Sequence, residues 1–148
     1  MGGARIRWAR DAADLQGAIA VRERVFVVEQ RVPPEEEVDG RDEEALHLVA
    51  IDLEGAVIGT LRLLLDGETA KIGRVAVDRA WRRQGIAARM LDDALAEAAT
   101  RGARLARLAS QLDVVALYER AGFVVTSEVF EEAGIEHVWM TRELGAVA

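Results

Sequence analysis

Residues 75–87 constrain this chain more than any other stretch. An apolar run, Val75-Ala76-Val77, passes into a turn carrying Arg82, Arg83, Gln84 and Gly85, and a helical pattern starts at once with Ile86 and Ala87. A strand that enters a helix in this way leaves the first helical N–H groups without carbonyl partners. The helix dipole adds positive potential at the same place, and the two arginines add charge. Together they suit a pyrophosphate. The spacing Arg82-x-x-Gly85-x-Ala87 is neither the GxGxxG fingerprint nor a P-loop ending in GK[ST].

Composition narrows the class. At 148 residues the chain predicts one domain, 1–148, with a sizeable core. Hydrophobic residues make up 51% and charged residues 30%, ordinary for a soluble globular enzyme. The sequence has no cysteine. That removes disulfides, thiolate zinc sites and a cysteine nucleophile together, and it fits a cytoplasmic protein. No run of about 18 apolar residues exists, so no membrane span is expected. The start lacks the apolar stretch of a signal peptide. Gly2 invites N-myristoylation, but Ile6 stands where Ser or Thr is wanted. With net charge −7 and pI about 4.9, no large basic surface is expected and nucleic acid is not a predicted partner.

Periodicity places the elements. Ile6 and Trp8 alternate with arginines and predict a strand over 5–9. Asp11 or Asp14 caps a helix with apolar Leu15, Ala18, Ile19, Val25 and Phe26, while Arg22, Glu23 and Arg24 face water. Pro33-Pro34 is expected to stop regular structure. The acidic run 35–44 reads as a solvated loop, since like charges resist burial. Steering of a basic substrate is its lesser reading. Strands at 46–53 and 57–65 form a hairpin about Glu54-Gly55, and Asp66-Gly67 turns into a third antiparallel strand at 70–77. The helix from 85 to about 100 has Ile86, Met90, Leu91, Ala94, Leu95 and Ala98 on one face and ends at Arg101-Gly102. A strand at 105–109, a helix at 112–121 and strands at 123–125 and 137–141 complete the order. Helices on both faces of a mixed sheet follow.

Further segments carry a resemblance. Gln111…Leu117-Tyr118-Glu119-Arg120-Ala121-Gly122-Phe123 is similar to an N-x₆-Y-E-x-x-G-F segment, with Gln in place of Asn. Arg82-x-x-Gly85-x-Ala87 matches a Q/R-x-x-G-x-G/A signature. Both belong to the GNAT N-acetyltransferases. Residues 24–30 with Val32-Pro33, and the tail Ala133-Gly134-Ile135-Glu136-His137-Val138-Trp139-Met140, resemble the ElaA/YjcF-like subgroup. The resemblance covers nearly the whole chain. It implies the GNAT acyl-CoA N-acyltransferase fold: an α/β (α+β) mixed sheet with splayed fourth and fifth strands and helices on both faces. It also implies acetyl-CoA as cosubstrate. Backbone groups of Val75 and Val77 would pair with pantetheine as an added strand. The turn Arg82, Arg83, Gln84, Gly85, Ile86, Ala87 and Ala88 would hold the pyrophosphate, with Gly85 permitting close approach. One arginine would reach the 3′-phosphate. Gln111 takes the asparagine position.

Tyr118, the only tyrosine, stands where GNAT enzymes carry their general acid, which protonates the leaving thiolate. Packing beside Leu117 is the reading the residues alone favour. The resemblance gives the oxyanion to a strand-four N–H, that of Val77. Many GNAT enzymes also place a glutamate on that strand, but Lys71, Ile72, Gly73 and Arg74 precede Val75 here. That departure leaves the general base unassigned, and the two candidates are Glu29, which could bind or deprotonate a cationic amine, and His47, as a base. An exposed loop glutamate and a structural strand histidine are the plainer readings. His137 is weighed like His47, and a water chain is the remaining route. A joint metal site of the two histidines lacks ligand spacing, so no metal is expected. Trp8, Trp81 and Trp139 read as packing residues, with CoA adenine a second reading for Trp81. The predicted function is acetyl transfer to a primary amine of a small molecule or peptide, by direct attack in a ternary complex. The alternative is a non-catalytic acyl-CoA-binding or sensing module. A homodimer and the acceptor's identity stay open.

Overall fold

Two tight turns lay down the second, third and fourth strands in the computed structural model, which describes residues 3–145, while a long helical connection separates the first strand from the second; Gly2 lies outside the described residues. β1 (Arg5–Trp8), β2 (Leu46–Ile51), β3 (Val57–Asp66) and β4 (Thr69–Val77) are consecutive antiparallel neighbours. β5 (Leu105–Gln111) joins β4 in parallel and leads to β8 (Ile135–Glu143), which carries β6 (Val124–Val125). β7 (Phe130–Glu132) pairs with β8 and was not expected from the sequence. Its two glutamates hide the strand pattern. The hairpin is set by Ala133 and Gly134, both at positive φ (53° and 77°), which suits a two-residue turn.

The helices divide the core. The Asp11 side chain caps α1 (Ala12–Arg22) by accepting the Asp14 N–H at 2.9 Å. Ala18 of this helix packs with Val49 and Ile51, while Val21 and Val25 meet Ala76. The six stripe residues of α3 (Ile86–Thr100) are all buried and share a separate core with Leu48, Ala50, Leu61 and Leu63. Alternation along β2 sends Leu48 and Ala50 to α3, and Val49 and Ile51 to α1. The two helices therefore cover opposite faces. α4 (Val115–Arg120), preceded by one 3₁₀ turn, adds Tyr118 to the α3-side core, edge-on to Phe123 at 6.2 Å.

Three expectations are corrected. Regular structure does not end at Pro33-Pro34. The first helix widens into a π-helical turn, Glu23–Glu29, in which the Gln30 N–H reaches the Val25 carbonyl at 3.0 Å, and helical structure ends there, with residues 30–33 separating it from Pro34. Pro34 then begins a short helix, α2 (Pro34–Glu37), since proline's missing N–H and fixed φ suit a first helical position. Arg22 does not face water, and the acidic run is not simply solvated. Arg22 and Glu37 are 1% and 6% exposed and joined at 2.7 Å. Arg22 also reaches Asp42 at 2.9 Å, Arg62 forks onto Asp39 at 2.7 and 2.8 Å, and Arg74 meets Glu37 at 2.9 Å. Repulsion within the run is offset by three arginines supplied from α1, β3 and β4, far away in sequence. The forked hydrogen bond from Arg62 holds the Asp39 carboxyl well below the usual carboxylate range. Burial pushes Asp42 up, but Arg22 and Arg62 together still leave it lowered.

Removing one carboxylate from this network exposes its worth. Glu37→Ala leaves the Arg22 guanidinium short of its buried partner, and a loss of about 3–5 kcal/mol is expected in urea unfolding. Acid acts in the same direction. Asp39 and Asp42 have lowered folded-state pKa values, so their contribution is present above the unfolded carboxylate pKa and disappears as pH falls through the folded values. Unfolding free energy should drop from about pH 5 downward. Asp39→Asn should flatten that slope in urea titrations at stepped pH.

Candidate functional site

The parallel pairing of β4 with β5 covers only Thr69–Lys71 against Leu105–Arg107. Beyond that point β4 keeps β3, β5 keeps β8, and the two part. The gap is an open cavity of about 1230 Å³, lined by residues 71–77 on one side and Leu108, Ala109 and Gln111 on the other. The Asp78 N–H goes to the Ile58 carbonyl at 2.8 Å. Alternation along an antiparallel pair then turns the N–H and C=O of Val77 toward the gap. Upstream, a bulge sets Arg74 and Val75 against Leu61, with Arg74 at φ 52°. The grip of Arg74 on the carboxylate and carbonyl of Glu37 fixes that strained residue.

Past Val77 the chain turns through Arg83 and Gly85, both at positive φ (64° and 79°). Gly85 is the N-cap of α3, and a Cβ there would meet nothing within 4 Å. Among the described residues no acceptor meets the N–H groups of Arg83, Gln84, Gly85, Ile86, Ala87 or Ala88. Six free amides with a helix dipole behind them form a seat for a polyanion.

The sequence-selected side chains divide. Arg82 is committed to the protein itself: its Nη1 and Nη2 donate to Glu29 at 2.6 and 2.8 Å, and its Nε donates to the Val77 carbonyl at 2.8 Å. Arg82 therefore braces the turn, and Arg83 remains the exposed cation with no ion pair among the described residues. Glu29 lines the cleft, but the Arg82 hydrogen bond lowers its pKa and occupies both oxygens, so no free base stands there. Gln111 exchanges amide hydrogen bonds with Gln30 at 2.8 and 3.5 Å, tying the end of β5 to the π-helical turn. That turn delivers Glu29 and Gln30 side by side, and the sequence reading did not single out Gln30.

Tyr118 lines the cleft from the α3 side, and burial raises its pKa far above the ordinary phenol value. Its hydroxyl has no hydrogen-bond partner among the described residues. His47 is not among the cleft-lining residues. Its Nε2 faces the Asp42 carbonyl at 2.9 Å and its Nδ1 is buried without a partner, which makes it a structural histidine of β2. His137 does line the cleft, as does Trp139. Trp139 is thus a cleft wall rather than core packing: the Arg107 guanidinium lies 3.8 Å from its ring centroid and the Lys71 ammonium 5.6 Å. Trp81 packs against the core while also lining the cleft. Among the described residues no cluster of His, Cys, Asp or Glu could hold a metal, and no helix is long and apolar enough to cross a membrane.

A mixed sheet that splits between β4 and β5 and ends in an amide cradle is the fold of the GNAT acyltransferases. The sequence model of the acetyltransferase (GNAT) domain matches residues 9–144, and the chain belongs to the GNAT family. The uncharacterized N-acetyltransferase YjcF of Bacillus subtilis is 35% identical over 136 residues, covering 91% of this chain and 96% of that one. Escherichia coli ElaA superposes with a TM-score of 0.82 at 26% identity, over 94% of this chain and all (100%) of that one. An acyl-CoA N-acyltransferase from Pseudomonas aeruginosa reaches 0.80 at 33% identity, over 93% and 99%. Within the family the chain is ElaA/YjcF-like.

Proposed function

We propose that this protein transfers acetyl from acetyl-CoA to a primary amine by direct attack in a ternary complex. The gap between β4 and β5, closed at one end by six partnerless amides, carries the reading. Pantetheine is an extended chain of amides, and it extends the open edge of β4 past Val75 and Val77 as an extra strand would. The pyrophosphate then takes the N–H groups from Arg83 to Ala88, with the Arg83 charge beside it. Arg82 acts indirectly, by holding that turn against Glu29. The free N–H of Val77 is the donor for the oxyanion of the tetrahedral intermediate.

Burial keeps the Tyr118 phenol protonated. A neutral phenol facing the cleft donates its proton to the departing thiolate. The non-catalytic alternative draws support from one observation. β4 offers no carboxylate, and Glu29 is tied to Arg82. Acetyl-CoA mixed with amino acids, polyamines, aminoglycosides or peptide N-termini separates the two readings. Thiol release that depends on the amine is expected; CoA binding with none across the panel would leave a sensor.

Tyr118→Phe should lower kcat by roughly 10²-fold or more, the usual weight of a positioned acid. Acetyl-CoA affinity and Tm should stay near wild type, because the hydroxyl has no protein partner to lose. Unchanged turnover in a thiol-release assay would remove the acid role.

Gly85→Glu should weaken CoA binding by roughly 100-fold or more in calorimetry, since it sets a carboxylate among amides meant for phosphate. The Cβ meets open space, so the cost to the fold is only the backbone strain of about 1–2 kcal/mol at positive φ. Retained affinity would place the phosphates elsewhere.

A further inference from the structure

The reaction needs a proton acceptor on the amine side, and β4 supplies none. We infer that Nε2 of His137 takes the proton from the attacking amine. This inference rests on the acetyl-transfer reading given above.

Its first support is the tautomer. Nδ1 of His137 lies 2.7 Å from the Ile135 carbonyl. A carbonyl only accepts, so Nδ1 carries the hydrogen and the neutral ring holds its lone pair on Nε2. The second is access. His137 is 7% exposed, yet Nε2 is not among the sealed polar atoms, and the residue's open side is the cleft. His47 has the opposite arrangement: its Nε2 faces a carbonyl and its basic Nδ1 is walled off. Of the chain's two histidines, only His137 presents a basic nitrogen to the cavity.

The third support is placement. Val138 and Met140 point into the α3-side core with Tyr118. Alternation along β8 therefore puts His137 and Trp139 on the other face. A thioester lying in the gap would have the phenol on one side of the sheet and the imidazole on the other. The ring is also held in place. It stacks on Phe130 at 5.8 Å and 23°, and Gln111 is its neighbour on β5. Both are uncharged. The charged groups on the same face of the flanking strands are Glu132 on β7, Lys71 on β4 and Arg107 on β5.

The step balances without a further reactant. The amine lone pair forms a bond to the thioester carbonyl carbon, and its N–H proton passes to Nε2. The C–S bond breaks, and the thiolate takes the Tyr118 proton. Solvent then carries a proton from imidazolium to phenolate. The products are the amide and free CoA thiol.

The test uses the full chain, acetyl-CoA, and the panel amine that gives the fastest thiol release. In His137→Asn the amide nitrogen can still donate to the Ile135 carbonyl, while Nε2 is gone. Neutral imidazole accepts a proton and imidazolium does not. The wild-type rate therefore falls on the acid side, where the acceptor is already protonated. In His137→Asn, kcat should fall by roughly 10²-fold or more, and the acid limb should move up toward the titration of the amine itself. CoA affinity should match wild type. His137→Gln, which loses the Ile135 contact but keeps a polar group near Nε2, should lose activity in the same way. A merely structural role would alter CoA affinity or Tm and leave the acid limb in place. Either variant keeping the wild-type kcat and acid limb overturns the inference and leaves acetyl transfer standing. A wild type with no amine-dependent thiol release overturns both.

Discussion

β4 is shared between two unequal partners, and the site exists because of that inequality. Against β3 it pairs along nearly its whole length, while against β5 it pairs over three residues. β5 is in turn held by β8 along all seven of its residues. Neither strand can follow the other without abandoning a longer ladder. The result is a sheet with an interior edge, where N–H and C=O groups face a cavity rather than a strand. Unpaired backbone groups at such an edge are costly when dry. The arrangement persists because the gap is open to solvent and suits an extended polar ligand.

The ionic network on the α1 face ties α1, α2, β3 and the β4 bulge to one another. Pairing three arginines with three carboxylates, with Arg22, Arg62 and Glu37 buried, is a poor route to stability in itself, because desolvation offsets most of the attraction. Its effect here is positional. Glu37 joins α1, through Arg22, to the β4 bulge, through Arg74. The bulge aims Val75 and Val77 at the gap, so α2 reaches the chemistry through two guanidinium groups. The π-helical turn contributes in the same manner. Its last residue, with Gln30, ties both ends of the cleft together, since Glu29 grips Arg82 after β4 and Gln30 grips Gln111 at the end of β5.

Local physics made much of this legible in sequence. The meander, the stripe of α3 and the free amides before it follow from turn residues, helical spacing and one glycine. The splay was expected only through family resemblance. What stayed hidden depends on distant partners. Run 35–44 looks repulsive until Arg22, Arg62 and Arg74 are brought beside it, and none of them is close in sequence. Glu29 looks free until Arg82 reaches it. β7 is short and acidic, and only its pairing with β8 makes it a strand. His47 and His137 look alike in sequence, since each sits in a strand. They differ in which ring nitrogen a carbonyl occupies, and one-dimensional pattern does not carry that. Alternation along β8 did carry a usable signal. Val138 and Met140 are the apolar pair, which leaves His137 and Trp139 for the other face.

The proposed chemistry follows from the split sheet. An acid and a base that act in one reaction must not neutralise each other. In an unbroken sheet, side chains on opposite faces have no common substrate, because the backbone layer lies between them. A gap between strands removes that barrier at one place. Tyr118 reaches the gap from the core side, and its burial among apolar groups keeps its proton in place until a thiolate forms. His137 approaches from the opposite face, with the carbonyl of Ile135 fixing its tautomer. The thioester is the only group that would meet both. Under this reaction the missing strand-four carboxylate needs no substitute on β4. In the proposed reaction the proton acceptor lies across the gap on β8, and Arg74 serves the bulge through Glu37.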